Sequence, residues 1–128
     1  MIINTPISLG ELIDKISILQ IKKSNIQKVE KQKFIIEELT LLEEILKSVI
    51  VDNKDIHDYL NKLIITNTKL WKLEEDIREC ERQEKFDQKF IELARSIYFN
   101  NDERSKIKLK INEQFGSQIV EVKSYKKY

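Results

Sequence analysis

The sequence contains very few residues that bend or cross-link a chain. Its 128 residues include two glycines, one proline and one cysteine. So little glycine and proline leaves few tight turns, which favours long helices over a sheet of many short strands. The lone cysteine, Cys80, excludes an intramolecular disulfide and any metal site built from several cysteines. A reducing compartment suits such a chain, and we expect the protein in the cytoplasm.

An excess of charge of one sign and long apolar runs are also missing. The 23 basic residues nearly balance the 22 acidic ones, which argues against a globally basic nucleic-acid binder. No apolar run approaches the ~18 residues of a membrane span, and residues 1–8 lack the basic and then apolar pattern of a secretory signal. We therefore expect one soluble domain over residues 1–128 that has no membrane partner.

Apolar residues recur instead at helical spacing along most of the chain. The first helix begins at Ser8, which forms a capping box with Glu11. Residues 24–33 are polar and are either a connection or a frayed helix end. The pattern resumes at Phe34, and Asp55 can cap a third helix. The third helix has the clearest apolar stripe, whose members alternate spacings of three and four: Ile56, Tyr59, Leu63, Thr66, Leu70, Leu73, Ile77 and Cys80.

The last third of the chain predicts one or two more helices and a tail. Asp87 can cap a fourth helix, the run from Asn100 to Asp102 interrupts it, and a fifth helix or a kinked continuation ends at Gly116. The two chain ends contain β-branched residues, and a short strand between them is conceivable. The sequence thus predicts an all-α bundle of four to five helices with a long antiparallel hairpin of the second and third helices and short extended N- and C-terminal arms.

Self-association follows from the unequal lengths of these helices. A second and a third helix of ~20 and ~27 residues would span ~30 and ~40 Å and would exceed their partners. A hairpin that extends beyond its neighbours leaves apolar surface uncovered, and a second copy of the chain is the usual remedy in a small domain. We expect a homodimer or a higher oligomer.

Opposite the core stripe, the third helix carries a line of polar and aromatic residues. Asn67, Trp71, Glu74 and Arg78 follow one another at spacings of 4, 3 and 4, so they share one face. A flat indole beside an amide, a carboxylate and a guanidinium is suited to a planar, anionic or sugar-containing ligand. The alternative is structural: Trp71 packs at the edge of the bundle, and Glu74 and Arg78 form an ion pair one turn apart.

The fourth helix repeats this theme with Arg95, Tyr98 and Asp102. If the two faces meet, two arginines beside two aromatic rings make an anion-binding pocket. The alternative is that these groups satisfy the backbone of the irregular terminal segments.

Catalytic and metal-binding patterns are weak. Glu11 and Asp14 lie one turn apart and are the best metal candidates, although helical nucleotide pyrophosphohydrolases carry further acidic residues ahead of such a pair and this chain has none. The only histidine, His57, has no second ligand at metal-binding spacing, and Cys80 continues an apolar stripe. No phosphate loop, dinucleotide fingerprint or nucleophile motif is present. We predict no cofactor and no resident metal, and we leave the catalytic residues unassigned.

The C-terminal quarter is locally basic. From Arg104 onwards the lysines could touch phosphates or an acidic partner, but Lys106, Lys108 and Lys110 alternate and so spread around a helix. A solvated face and a fraying lysine tail are the simpler explanation. We regard nucleic acid as an unlikely partner.

Four segments resemble a family of short bacterial proteins of unknown function, and the resemblance runs nearly from end to end. Its motifs match SLGELIDK (residues 8–15), LWKLEEDIR (70–78), FIELARSIYFNND (90–102) and GS with KSY (116–125). The resemblance implies that Glu11, Asp14, Trp71, Arg78, Arg95 and Asp102 are characteristic positions. Such proteins are sometimes met beside glycosyltransferase and cell-surface polysaccharide genes, which implies an accessory or sugar-linked role.

Two functional hypotheses follow. The first is a non-catalytic binding or assembly module, accessory to surface-polysaccharide synthesis, whose Trp71 and Arg78 face recognises a small anionic or sugar-containing ligand or a partner protein. The second is a small enzyme in which Glu11, Asp14 and Glu74 hold a divalent metal against a phosphorylated or nucleotide-sugar substrate.

Overall fold

The computed structural model describes residues 1–128 and contains four helices and no strand. The helices are α1 (Leu9–Asn25), α2 (Val29–Val49), α3 (Lys54–Arg82) and α4 (Gln88–Gln114). The all-α prediction of four to five helices is confirmed with four. None of these helices combines the length and the apolar character that crossing a membrane requires.

Local capping fixes the helix ends, partly as the sequence predicts. The Ser8 hydroxyl accepts a hydrogen bond from the Glu11 amide at 3.1 Å, but the Glu11 carboxylate binds Lys108, so only half of the capping box forms. The α3 cap is Asn53, which accepts from the Ile56 amide at 3.0 Å, and not Asp55.

The predicted caps of α4 are both confirmed. Asp87 caps its first turn by accepting from the Phe90 amide at 3.4 Å. Gly116 follows its last turn at φ +67, a left-handed conformation that glycine adopts without strain. The amide of Ser117 then donates to the Asn112 carbonyl at 2.9 Å and closes the helix end.

Two boundaries differ from the simplest prediction. Of the two alternatives for residues 24–33, the helix end fits residues 29–33, because α2 begins at Val29 and the connection from α1 is only residues 26–28. The run from Asn100 to Asp102 does not interrupt α4, which is continuous. Asn100 donates from its side chain to the Ser96 carbonyl at 2.8 Å within the helix, and the low helix propensity of such residues, ~0.7 kcal/mol each, is overcome by packing against α3.

The packing is organised around α1. It contacts all three other helices, whereas α2 contacts only α1, and α3 also packs against α4. The predicted long hairpin of the second and third helices is not confirmed: the closely packed consecutive pairs are α1 with α2 and α3 with α4. The physical reason is that α1, which has apolar and small polar residues on several faces, separates α2 from the α3 and α4 pair.

The apolar core is divided between two clusters that meet at α1. The first, between α1 and α2, comprises Leu12, Ile16, Leu19, Ile35 and Leu39. The second, between α1, α3 and α4, comprises Ile13, Ile56, Leu63 and Ile111. Leu9 of α1, Leu46 of α2 and Leu60 of α3 contact both clusters, so the two parts of the core are continuous.

The two chain ends are adjacent but form no strand. The Leu9 amide donates to the Ser117 hydroxyl at 3.2 Å, which joins the start of α1 to the end of α4. A groove of about 680 Å³ lies between residues 3–9, the C-terminal half of α2 and residues 115–119.

Candidate functional site

A buried charge lies where α1, α3 and α4 meet. Asp14 of α1 is 0% exposed, and the Arg104 guanidinium of α4 binds both of its carboxylate oxygens, with Nη2 at 2.5 Å and Nε at 3.0 Å. From α3, the Asn67 amide donates to Asp14 and to the Ser17 hydroxyl, each at 2.8 Å. A buried carboxylate is tolerated only when it is paired and hydrogen-bonded, and this one has a partner from each neighbouring helix.

A second buried charge extends this network toward the tail. The Lys108 ammonium lies 2.6 Å from the Glu11 carboxylate, 3.0 Å from that of Glu121 and 3.9 Å from that of Asp14. Burial disfavours its charge, but the hydrogen bonds to Glu11 and Glu121 outweigh this effect and raise the pKa of Lys108 above its usual value. The hydrogen bond to Asp14 likewise raises the pKa of Arg104. Both cations therefore stay charged.

Gly10 allows α1 and α4 to approach closely enough for these bonds. Its amide donates to the Asn112 side chain at 2.7 Å, and a Cβ at this position would lie 2.5 Å from the Lys108 carbonyl oxygen. No real side chain tolerates that separation. The close approach brings Glu11 within reach of Lys108.

An open cleft lies beside this network, between α1, α3 and α4. We call it the ligand cleft; it measures about 420 Å³. Four of the predicted site residues of α3 line it: Asn67, Trp71, Glu74 and Arg78. Asn101 and Arg104 of α4 also line it. The prediction that the residues of the α3 line share one face is therefore matched by a common cleft.

The side chains of the cleft wall also pair with one another. The Trp71 indole donates to Glu75 at 2.9 Å, and Arg78 lies 3.4 Å from Glu74. Glu74 and Arg78 thus form the one-turn ion pair that the structural alternative predicts. Both groups are exposed enough that the pair adds at most ~0.5 kcal/mol to stability, so a ligand can separate them at little cost.

The predicted residues of α4 lie outside the ligand cleft. The Arg95 guanidinium sits over the Phe99 ring, 5.8 Å from its centre. Tyr98 packs against Phe99 at 4.9 Å and against Tyr128 at 5.5 Å. Asp102 accepts a hydrogen bond from the Tyr128 hydroxyl.

The two aromatic and arginine faces therefore do not converge, which corrects the idea of one shared anion pocket. Helical geometry explains the result. Arg104 is the residue of α4 that faces Asn67 and Trp71 across the cleft. Arg95 and Tyr98 lie nearer the N-terminus of α4 than Arg104 does. For Asp102 the structural alternative fits, because its carboxylate accepts a hydrogen bond from Tyr128 at the end of the tail.

A second, more polar cleft of about 400 Å³ lies between α4 and the tail. Arg104 and Asn101 line both clefts, while Lys108, Glu121 and Lys123 line only the second of the two. Lys123 and Lys108 hold the Glu121 carboxylate at 2.8 and 3.0 Å and lower its pKa from 4.5 to about 2.

The weak metal candidates, Glu11 and Asp14, face cations. Their carboxylates bind Lys108 and Arg104, and no group of three or more His, Cys, Asp or Glu side chains comes together as a metal-binding set. Glu74 is paired with Arg78 on α3. A donor set already neutralised by buried cations does not fit a divalent ion without displacing them.

The remaining single residues behave as the sequence predicts. His57 is exposed and lies 2.6 Å from Asp52, and Cys80 is buried. Five lysines of the C-terminal quarter line one cleft of about 510 Å³ between α4 and the tail, and three of the five are paired with carboxylates. Lys106 pairs with Glu103 at 3.0 Å, and Lys108 is buried among carboxylates.

Sequence reasoning missed Arg104, Lys108 and Asn112 as parts of one network. They are spaced by four and lie on one face of α4, opposite a line of small and polar residues on α1 formed by Gly10, Asp14 and Ser17. That pair of stripes is the signal which could have found them. The alternating lysines over residues 106–110 mask this spacing, because Lys108 belongs both to the alternating set and to the line spaced by four.

The chain was also compared with known proteins. No protein-family model, no curated protein and no solved structure matches it.

Proposed function

We propose that the protein is a non-catalytic binding module whose ligand cleft takes a small molecule that combines an anionic group with a planar or sugar ring. The observation that carries the proposal is the position of Arg104. The Nε and Nη2 edge of its guanidinium is held by the buried Asp14, and the side chain also lines the open cleft.

The hydrogen bonds of Arg104 leave donors free. A guanidinium has five N–H groups, and Asp14 is its only hydrogen-bonding partner, reached through Nε and Nη2. The side chain is 28% exposed. An arginine that is already oriented by a buried carboxylate loses little entropy when an anion binds its free edge, which favours phosphate or carboxylate ligands.

The rest of the cleft supplies a surface for a ring. Trp71 is partly buried on the same wall, and its indole nitrogen is already bonded to Glu75, so its apolar ring surface remains for contact with a ligand. Ile18, Ile21 and Leu70 line the apolar side of the cleft. An aromatic surface beside an oriented arginine is the combination that sugar and nucleotide ligands require.

The rival, a metal-dependent enzyme, gains no support from these contacts. It needs Glu11, Asp14 and Glu74 to share an ion, but the first two carboxylates bind Lys108 and Arg104 and the third pairs with Arg78. A role beside surface-polysaccharide synthesis in the cytoplasm belongs to the proposal. The polysaccharide link is supported by the motif resemblance alone, and the single free thiol of Cys80 suits a reducing compartment.

A thermal-shift screen against nucleotide sugars, sugar phosphates and nucleotides tests this function. A ligand at about 100 times its Kd stabilises the native state by ~2.7 kcal/mol, a clear rise in Tm. Trp71 is the only tryptophan, so its fluorescence reports binding in the cleft directly. Arg78→Gln should weaken binding, whereas the control Arg82→Gln, which removes an exposed arginine outside the cleft, should not.

The outcomes separate the two hypotheses. A Tm rise with Mg²⁺ or Mn²⁺ alone that Glu74→Ala abolishes would favour the enzyme. A screen without any stabilising compound, or a hit that leaves Trp71 fluorescence unchanged, would overturn the ligand cleft.

A further inference from the structure

The outward face of α2 has exposed apolar residues, of which Phe34 and Leu41 lie outside every groove described above, and Ile45 and Val49 border the groove beside the terminal segments. Phe34, Leu41, Ile45 and Val49 follow at spacings of 7, 4 and 4, so they form a stripe along one side of the helix. All four are exposed, Phe34 by 71% and Val49 by 62%. The buried residues Ile35 and Leu39 lie about a quarter turn away, against α1. We call the exposed set the outer stripe.

The total surface of the chain indicates that it is not fully packed. It exposes 9503 Å², whereas a compact monomer of 15.3 kDa exposes about 7,100 Å². The difference of roughly 2,400 Å² per chain lies at the upper end of the ~1,000–2,500 Å² that each partner buries in an obligate homodimer. The arms and α2 are where exposed large apolar side chains concentrate.

The charges of α2 and its N-cap are segregated along the helix and have no partners. The N-terminal end carries Lys28, Lys31 and Lys33 against one glutamate, and residues 37–47 carry four glutamates against one lysine. No ion pair of the chain includes any of these side chains, although α3 and α4 contain several pairs. A helix with a basic start and an acidic end complements a second copy of itself only when the two run antiparallel.

We propose that two copies of this chain pair through the outer stripe of α2, with the two α2 helices antiparallel about a twofold axis. The axis passes near the middle of α2, so that the basic end of each helix lies beside the acidic part of the other. Such an interface is isologous, and each side chain of the stripe contributes twice. The pairing goes beyond the ligand cleft, because α2 contributes no residue to it.

The oligomeric state of purified protein tests the pairing. Light scattering coupled to gel filtration should give twice the 15.3 kDa of one chain. Leu41→Lys should raise the dimer Kd by about 100-fold, because a charge then enters the buried stripe twice. The matched control Ile65→Lys changes an exposed isoleucine of α3 and should leave the dimer intact. A monomeric wild-type protein, or a dimer unaffected by Leu41→Lys, would overturn the proposal.

Charge reversal tests complementarity with variants at exposed positions that keep their fold. Lys31→Glu with Lys33→Glu leaves Lys47 as the only basic residue of α2, and Glu37→Lys with Glu44→Lys makes the helix mostly basic. Each protein alone should be monomeric, and an equimolar mixture should form a heterodimer. Homodimers that survive both reversals would contradict an interface through α2.

Cysteine cross-linking tests the direction. Near the axis, Glu38→Cys should form a disulfide-linked dimer on oxidation. In an antiparallel pair the two copies of Lys31→Cys lie roughly 20 Å apart and should not cross-link. The wild-type chain, in which Cys80 is buried, serves as the background control. Equal cross-linking of both variants would mean parallel helices and would overturn the proposed geometry.

Discussion

The helices α1 and α2 lie side by side with similar shares of apolar residues, and their surroundings differ sharply. Eight residues of α1 are buried, and two of α2 are. α1 is surrounded by α2, α3 and α4, whereas α2 contacts α1 alone. Apolar content therefore does not decide which helix becomes central.

The residues that distinguish α1 are small or polar. Gly10 permits the close approach of α4, and Asp14 and Ser17 receive hydrogen bonds from α3 and α4. The exposed side of α2 carries large apolar groups and unpaired charges, and its small polar residues Thr40 and Ser48 bond only to carbonyls of their own helix. A helix becomes central when its polar groups find partners on every side, and a helix with bulky apolar groups on a second face needs a partner from another chain.

Among the substitutions that test the difference between α1 and α2, Asp14→Ala in α1 should destabilise the protein most. Removing this buried carboxylate leaves the partly buried Arg104 and the Asn67 amide without their partner, which we expect to lower the free energy of unfolding by about 3–5 kcal/mol. The control is Asp76→Ala, which removes an exposed one-turn pair with Lys72 and should cost less than ~1 kcal/mol. Denaturant unfolding measures both. Equal losses for the two variants would mean that the buried network does not stabilise the bundle.

The second largest effect should be the difference in stability between substitutions on the inner and outer faces of α2. Leu39→Ala removes a buried side chain that packs on α1 and should cost about 2–4 kcal/mol. Leu41→Ala, on the outer stripe, should change the unfolding free energy by less than ~0.5 kcal/mol when measured in dilute solution, where pairing is absent. A larger loss at Leu41 than at Leu39 would reverse the assignment of the two faces.

Gly10→Ala should break the close contact of α1 with α4. The added Cβ would lie 2.5 Å from the Lys108 carbonyl, and the resulting shift should cost about 1–3 kcal/mol even though alanine favours the helix. Gly116→Ala meets no neighbour but is strained at φ +67, so a loss of ~1 kcal/mol is expected there. Thermal unfolding of both variants gives the comparison. A stabilised Gly10→Ala protein would show that the helices move apart freely.

The smallest effect concerns the contact of the tail with α4, which should depend on pH. The pKa of Glu121 is lowered from 4.5 to about 2 by Lys123 and Lys108. Because the folded pKa is the lower one, the contact stabilises docking of the tail above pH 4.5 and is lost as the pH falls toward 2. Proton NMR signals of Tyr125 and Tyr128 should report undocking over that range. Glu121→Gln should remove the pH dependence, whereas Glu44→Gln on α2 should not.

The periodic parts of the fold could be predicted from the sequence. The α3 stripe from Ile56 to Cys80 faces the core as its spacing predicts, and Asp87 and Gly116 mark the two ends of α4. These features depend on residues close in sequence, whose geometry one helix determines by itself. Asn100 to Asp102 misled the prediction because local propensity is weaker than packing against a neighbouring helix.

The candidate site could be predicted only in part. Asn67, Trp71, Glu74 and Arg78 belong to one helix face, and a shared cleft follows from their spacing. The partner across the cleft, Arg104, is separated from Asp14 by 90 positions. No regularity in the sequence connects two such residues.

The sequence by itself determined the all-α class, most of the helix ends and the inner face of each helix, because these follow from hydrogen bonding and side-chain spacing within a few turns. Only the tertiary structure decided that α1 is central, that the closely packed consecutive pairs are α1 with α2 and α3 with α4, and that Asp14 pairs with Arg104 beside the cleft. Helix order in a bundle depends on which faces fit and which buried charges find partners, and both are properties of pairs of helices that neither helix carries alone.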